Sequence, residues 1–216
     1  MTESYLVGAL LAFAGGFIDA YTYITRDEVF AYAQTGNIVL LGINIGKTNY
    51  LQALLYLIPI FTFIIGVFLA ERFKKSFPSN GQVWRQIVVI TEIIIIIIVC
   101  FIPYGKSTNP VAIVLSSFIS ALQYEAFRSI RGQAFASTMC TGNLRSGAES
   151  LYHYIHTREK SYRNKTIQYF GIIIIFAAGA AVGTALTGIF ELKAALFSII
   201  FLAGAFIALF FDKSII

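Results

Sequence analysis

The chain has 216 residues, of which 57% are hydrophobic and 12% charged, and its mean hydropathy is +0.76. So little polar surface cannot cover a soluble domain, so the composition excludes a soluble globular protein and points to an all-α integral membrane protein. The formal charge of +5 sits in loops and calls for no nucleic-acid partner, and two cysteines, Cys100 and Cys140, are too few for a disulfide framework or a metal centre.

Six runs are long enough to cross about 30 Å of hydrocarbon as helices. The first, Leu6–Ile24, follows "MTESY", which lacks a basic n-region, and no small-residue cleavage site comes after it; it reads as a retained helix rather than a signal peptide. Next comes "FAYAQTGNIV" (Phe30–Val39), which carries the triplet Thr35-Gly36-Asn37 and leads into a short apolar stretch, Ile38–Gly46. The second span is Leu51–Ala70. The third, Ile87–Ile102, contains an isoleucine run that would suit a buried strand in a soluble protein, but its length and neighbours favour a helix. The fourth is Val111–Phe127. A second triplet, Thr141-Gly142-Asn143, precedes the amphipathic segment Leu144–His156, and Thr166–Leu186 and Leu192–Phe211 complete the six.

Loop charge sets the expected orientation. Glu71–Arg85 carries four cations (Arg72, Lys74, Lys75, Arg85) against Glu71, a net +3; Arg128–Lys165 carries seven against Glu149 and Glu159, a net +5. The other connections are near neutral. The positive-inside rule then places both basic segments and both termini in the cytoplasm, with the chain in a bacterial cytoplasmic (inner) membrane.

The two halves match in order. "GFIDAY" (Gly16–Tyr21) aligns with "ALQYEAF" (Ala121–Phe127) at an offset of 105, Phe30-Ala31 with Phe135-Ala136, and, after one inserted residue, the first triplet with the second. "FIIGVFLA" (Phe63–Ala70) matches "FAAGAAVG" (Phe176–Gly183). A single membrane domain over 1–216, made of repeats of about 1–105 and 106–216, follows. Three crossings per unit make the second copy enter from the opposite face, an inverted repeat.

Each triplet follows a spanning helix and precedes a segment too short or too polar to cross alone. Such segments suit re-entrant or broken helices. Thr and Asn are good N-cap residues and Gly permits close approach, so each triplet can present N–H groups and a positive dipole end to a cavity. The alternative is a pair of caps at the membrane surface. Asp19, Tyr23, Gln34, Thr35, Gly36 and Asn37 in the first half, and Gln123, Tyr124, Arg128, Thr141, Gly142 and Asn143 in the second, form the candidate substrate-binding set. Asp19 and Glu92 are ionisable residues within spans, which are costly there and so are candidates for proton coupling. Their structural alternatives are a cap on the loop after the first helix for Asp19 and an inter-helix hydrogen bond for Glu92.

Glu125 and Arg128, three apart, suit an intrahelical pair. His153 and His156 lie beside Tyr152 and Tyr154 on an amphipathic stretch and suit an interfacial helix better than a metal site. Gly179 and Gly183 form a GxxxG, echoed by Gly66 and Ala70, for close packing inside the monomer or across a homodimer.

"GGFIDAYTYITRDEVFAYAQTGNIVLLG" and "FASTMCTGNLRSG" resemble the two signature regions of the YoaK-like membrane proteins, a bacterial family of unknown function, and the resemblance spans nearly the whole chain. It implies the membrane fold and supplies no activity. The family usually shows Gln-Asn-Ala before its second motif, where this chain reads Gln123-Tyr124-Glu125.

The expected function is a small-solute transporter or channel that binds a polar or anionic solute between the triplets, with membrane lipid around it and no cofactor. The alternatives are a membrane enzyme, for which no nucleophile-base pair or metal cluster is visible, and a non-transporting scaffold or lipid-binding protein with a dry centre.

Overall fold

A backbone in hydrocarbon must satisfy its own polar groups, and a helix does so within one segment. The computed structural model describes residues 3–76, 81–130, 133–134 and 140–211. They form eight α-helices: α1 (Glu3–Thr25), α2 (Gln34–Gly46), α3 (Tyr50–Lys74), α4 (Gly81–Phe101), α5 (Asn109–Ala126), α6 (Cys140–Thr157), α7 (Lys160–Phe190) and α8 (Ser198–Phe211). A 3-10 helix, Glu191–Phe197, joins the last two, and a two-residue antiparallel pair, β1 (Ser129–Ile130) with β2 (Gln133–Ala134), follows α5.

Among the described residues, four stretches are long and apolar enough to cross a membrane: Tyr5–Thr25, Tyr50–Lys74, Gly81–Phe101 and Lys160–Phe211. The last has 52 residues, about 78 Å at ~1.5 Å each and over twice the hydrocarbon thickness, so it cannot be one crossing. It breaks at Glu191, whose φ of 50° lies outside the right-handed helical region. The sixth predicted span, Leu192–Phe211, therefore begins in the 3-10 helix and becomes α-helical only at Ser198. The fourth predicted span forms α5 but falls short in apolarity, because Ser116, Ser117, Ser120, Gln123 and Glu125 lie along it. All five are buried, so they face protein rather than lipid.

The direction of each helix follows from its contacts. Lys74 meets Glu125 at 3.1 Å, Arg85 Nε donates to the Ala126 carbonyl at 3.1 Å, and Gln82 donates to the Leu209 carbonyl, so the ends bearing the two basic segments lie together. At the other end Arg26 donates to the Ile102 carbonyl at 2.9 Å and the Tyr21 hydroxyl to the Leu192 carbonyl at 3.1 Å. The expected Glu125–Arg128 pair is replaced by Glu125–Lys74, because α5 ends at Ala126 and Glu125 turns into the bundle toward α3.

Helix α1 packs on α7 and α8, and α5 on α3 and α4; α2 lies on α3, α6 on α7, and α4 on α8. Exchanging α1–α4 for α5–α8 leaves this pattern unchanged. The correspondence extends to residues. A Cβ on Gly179 would overlap the Phe13 carbonyl oxygen, and one on Gly66 would lie 3.5 Å from the Phe118 carbonyl oxygen. Phe118 follows Phe13 by 105 positions and Gly179 follows Gly66 by 113, the offsets of the two sequence matches. Gly183 likewise sits against Phe17, 2.7 Å from its carbonyl oxygen to the added Cβ. The Gly179–Gly183 face is thus filled by α1 of the same chain, which is the packing inside the monomer that the sequence offered beside a homodimer.

Apolar side chains left outside, among them Leu51, Phe61, Ile65 and Phe68 on α3, Ile94 and Ile98 on α4, Ile174 on α7 and Ile200 on α8, form a broad lipid-facing surface. Helices α1 and α5 occupy the interior.

Candidate functional site

After Thr25 the chain turns back into the bundle instead of leaving it. Asp19 draws it down: Oδ1 accepts from Tyr32 N at 2.6 Å and from Ala33 N at 3.3 Å, while Thr22 Oγ1 accepts from Ala31 N at 3.2 Å. Asp19 precedes Thr25 by six residues, so the loop reaches about 9 Å below the end of α1. Asn37, fully buried, brackets Phe30, accepting from its N–H at 3.0 Å and donating to its carbonyl at 2.8 Å. Phe30 in turn stacks on Tyr23 and covers Gly36, where a Cβ would lie 2.9 Å from the ring.

Helix α2 starts at this depth and climbs to the end where Asp27 and Tyr104 lie; its Ile43 and Asn44 border a surface pocket there with them. Helix α6 runs the other way. Its Gly147 fits against Tyr169 and Phe170, and His153 stacks on Tyr162 near the start of α7. Thr35 and Thr141 are each the second residue of their helix. The predicted N-cap role is corrected here: Ala33 precedes α2 and no side chain caps it, because Thr35 to Asn37 lie inside the first turn rather than before it. Gln34 N donates to the Tyr32 carbonyl and Gly36 N and Asn37 N to that of Ala33, so the start of α2 offers the cavity chiefly its positive dipole end and the Thr35 side chain.

A cavity of about 340 Å³ lies between the two starts. Tyr32, Ala33, Gln34 and Thr35 form one side, Cys140 and Thr141 the other, with Phe63, Phe176, Ser120 and Tyr124 as walls. Thr35 and Thr141 are counterparts in the sequence match between the halves, as are Phe63 and Phe176. Neither threonine hydroxyl has a hydrogen-bond partner among the described residues. The Gln34 amide is turned inward, donating to Ala31 O and accepting from Asn37.

Behind Tyr32 lies a buried polar cluster. Its hydroxyl donates to Glu92, which is 1% exposed. The Gln123 amide is best satisfied with Nε2 toward Glu92, 2.7 Å from Oε1 and 3.1 Å from Oε2, and 3.0 Å from the Tyr32 hydroxyl; that orientation is assigned from the hydrogen bonds.

The candidate set thus divides. Gln34, Thr35, Tyr124 and Thr141 border the cavity; Gln123 and Glu92 lie one layer behind it. Asp19, Tyr23, Gly36 and Asn37 build the loop that leads to it. Asn143 is buried, Gly142 is exposed, and Arg128 is exposed at the basic end, outside the lining. Sequence reasoning passed over Tyr32 and Ser120 and gave Cys140 neither a disulfide nor a metal role. It also treated Arg26 as a loop charge, whereas the side chain is fully buried and donates to Asn109 Oδ1 at 3.1 Å and to the Val99, Ile102 and Pro103 carbonyls. A missed signal was position: Tyr32 falls between two matched segments of the repeat.

Residues 7–209 match the family described as "Protein of unknown function (DUF1275)". The chain belongs to the DUF1275 family. The match encloses both triplets, Glu92 and every residue of the cavity wall, so the site is part of the DUF1275 fold. The chain is also 26% identical over 181 residues to the UPF0700 transmembrane protein YoaK of Bacillus subtilis (strain 168), covering 81% of this chain and 80% of that relative. No solved structure matches. The transmembrane relative and the apolar helices agree: this DUF1275 chain is a membrane protein.

Proposed function

We propose that this DUF1275 chain carries a small solute across the membrane through the cavity between Thr35 and Thr141. The reading takes α1, α3, α4, α5, α7 and α8 as six crossings in two inverted repeats, with α2 and α6 as re-entrant helices, the termini in the cytoplasm of a bacterium. The observation that carries it is the meeting of two helix starts at one cavity, from which α2 and α6 diverge toward opposite ends. Midplane sites of this kind suit alternating access by rocking one half against the other.

The lining specifies the solute. The two helix dipole ends and the threonine hydroxyls, which no described residue engages, favour a polar or anionic head, while Phe63, Phe176 and Tyr124 offer an apolar wall for a compact body. Small sites commonly combine apolar walls with a few placed polar groups in this way. Binding and release of a solute, rather than catalysis, is the role such a wall fits.

Uptake into proteoliposomes tests the reading, with a panel of labelled carboxylates, phosphate and neutral polar solutes. At least one class should enter faster than into protein-free vesicles, and Thr141→Trp, which fills the cavity, should abolish the difference. Equal rates with and without protein for every class would leave the scaffold reading in its place.

A further inference from the structure

Of the three carboxyls buried among the described residues, Glu125 pairs with Lys74 at the basic end, and the other two, Asp19 and Glu92, are wired differently from each other. Asp19 Oδ1 accepts from two backbone N–H groups. Those groups can only donate, and they are fixed by the loop, so the arrangement has one hydrogen-bonding pattern. Glu92 is held by side chains alone: the Tyr32 hydroxyl and the Gln123 amide. A phenol both donates and accepts. With Glu92 anionic, Gln123 Nε2 donates to both carboxylate oxygens. When Glu92 is protonated its hydroxyl can donate to the Tyr32 oxygen while its carbonyl oxygen still accepts from Gln123 Nε2, so the Tyr32 hydroxyl is the group that reverses direction and the amide stays as it is. Both protonation states are therefore satisfied without moving the backbone, and Tyr32, which also borders the cavity, is the link between the cavity and the carboxyl.

We propose that Glu92, and not Asp19, is the residue at which this protein takes up and releases a proton, through the Tyr32 hydroxyl, with the Gln123 amide donating to the carboxyl in both states. The step balances: a hydronium in the cavity gives a proton to the Tyr32 oxygen and is left as water, as the Tyr32 O–H proton passes to the Glu92 carboxylate, leaving neutral tyrosine and a carboxylic acid, and release reverses it. This inference rests on the carrier reading for its use, since proton uptake beside a solute site is what coupling requires. The surroundings add few competing charges. Among the described residues Glu92 faces Tyr32 and, beyond it, Asp19; α5 contributes neutral Gln123, and α8 carries no charged residue. Glu191 and Lys193 of the 3-10 helix border Cys100, two turns further along α4.

Infrared difference spectroscopy of the full chain in lipid nanodiscs, between acid and alkaline pH, reads the carboxyl without any solute, so its outcome is independent of the uptake assay. The wild type should show the carbonyl stretch of a buried protonated carboxyl that disappears on raising the pH. Glu92→Gln should lose that band, Asp19→Asn should keep it, and Tyr32→Phe, which removes one hydrogen-bond partner, should shift its frequency. No titrating band in the wild type, a band that survives in Glu92→Gln, or one lost in Asp19→Asn would overturn the assignment. An unshifted band in Tyr32→Phe would overturn the relay. Should Glu92→Gln fail to fold, Asp19→Asn and Tyr32→Phe still decide it.

Discussion

Gly179 lies directly against the carbonyl oxygen of Phe13, with room between them for hydrogen and nothing larger. Between lipid-immersed helices, where lipid is as apolar as the side chains, close approach of this kind is a main source of association. Gly179→Ala should therefore force α1 and α7 apart and lower stability by about 1–3 kcal/mol, the range for overpacked interiors. Gly188, on the same helix with nothing near its missing Cβ, is the control: Gly188→Ala should hold or slightly raise the melting temperature in detergent.

The two cysteines should react very differently. Cys140 borders the cavity, whereas Cys100 is 3% exposed and its thiol donates to the Ile97 carbonyl. A small maleimide should modify Cys140 in folded protein and spare Cys100 until unfolding. Mass spectrometry of the alkylated chain reads both sites, and a transported solute should slow the reaction at Cys140.

Arg26 ties three carbonyls at the end of α4 and the loop after it to the end of α1. Removing the guanidinium leaves buried acceptors unmet, at a cost of about 1–3 kcal/mol for such a group. Arg26→Met should lower the melting temperature clearly, and Arg26→Lys should recover only part of it, because a single ammonium cannot span the same acceptors.

Cysteines placed at Ser76 and Thr157 in a background lacking Cys100 and Cys140 should be shielded from impermeant thiol reagents in intact cells, and one at Thr48 should label. Ser76 and Thr157 adjoin the basic segments, while Thr48 follows α2 at the opposite end. Labelling of Ser76 with shielding of Thr48 would invert the assigned orientation.

The architecture was largely legible because hydrocarbon imposes a simple rule of length and apolarity, and because two ordered series of matches survive in the halves. Phe63 and Phe176 were paired from sequence before the structure put both on one cavity wall. What escaped was polar detail in the interior. The serines of α5 depress its apolarity, yet they are what marks it as an inner helix. Arg26 has no sequence signal to separate a buried cation from a loop charge, since most of its partners, three backbone carbonyls and the Asn109 side chain, are brought in from 70 and more residues away. The triplets drew attention to Asn37 as a ligand, but its partner is a peptide group seven residues earlier. Tyr32 lacked any motif of its own; only the fold aligns it with Glu92.

Helix α4 raises a separate problem of orientation. Six isoleucines in succession, Ile93–Ile98, wrap every side of it with the same chemistry, and surrounding lipid distinguishes none of those sides from the next. Over that stretch alone the rod could spin about its long axis at small cost. Gln82 and Arg85 anchor its first turns, and Glu92 supplies the angular mark beside the isoleucines, since only one azimuth carries its carboxyl to Tyr32 and Gln123. With that angle set, Val88, Ile96 and Val99 turn inward while Ile94 and Ile98 turn out. Glu92 thus acts as a keyway at the middle of a helix of twenty-one residues, and any event that changes its bonding acts as a torque there.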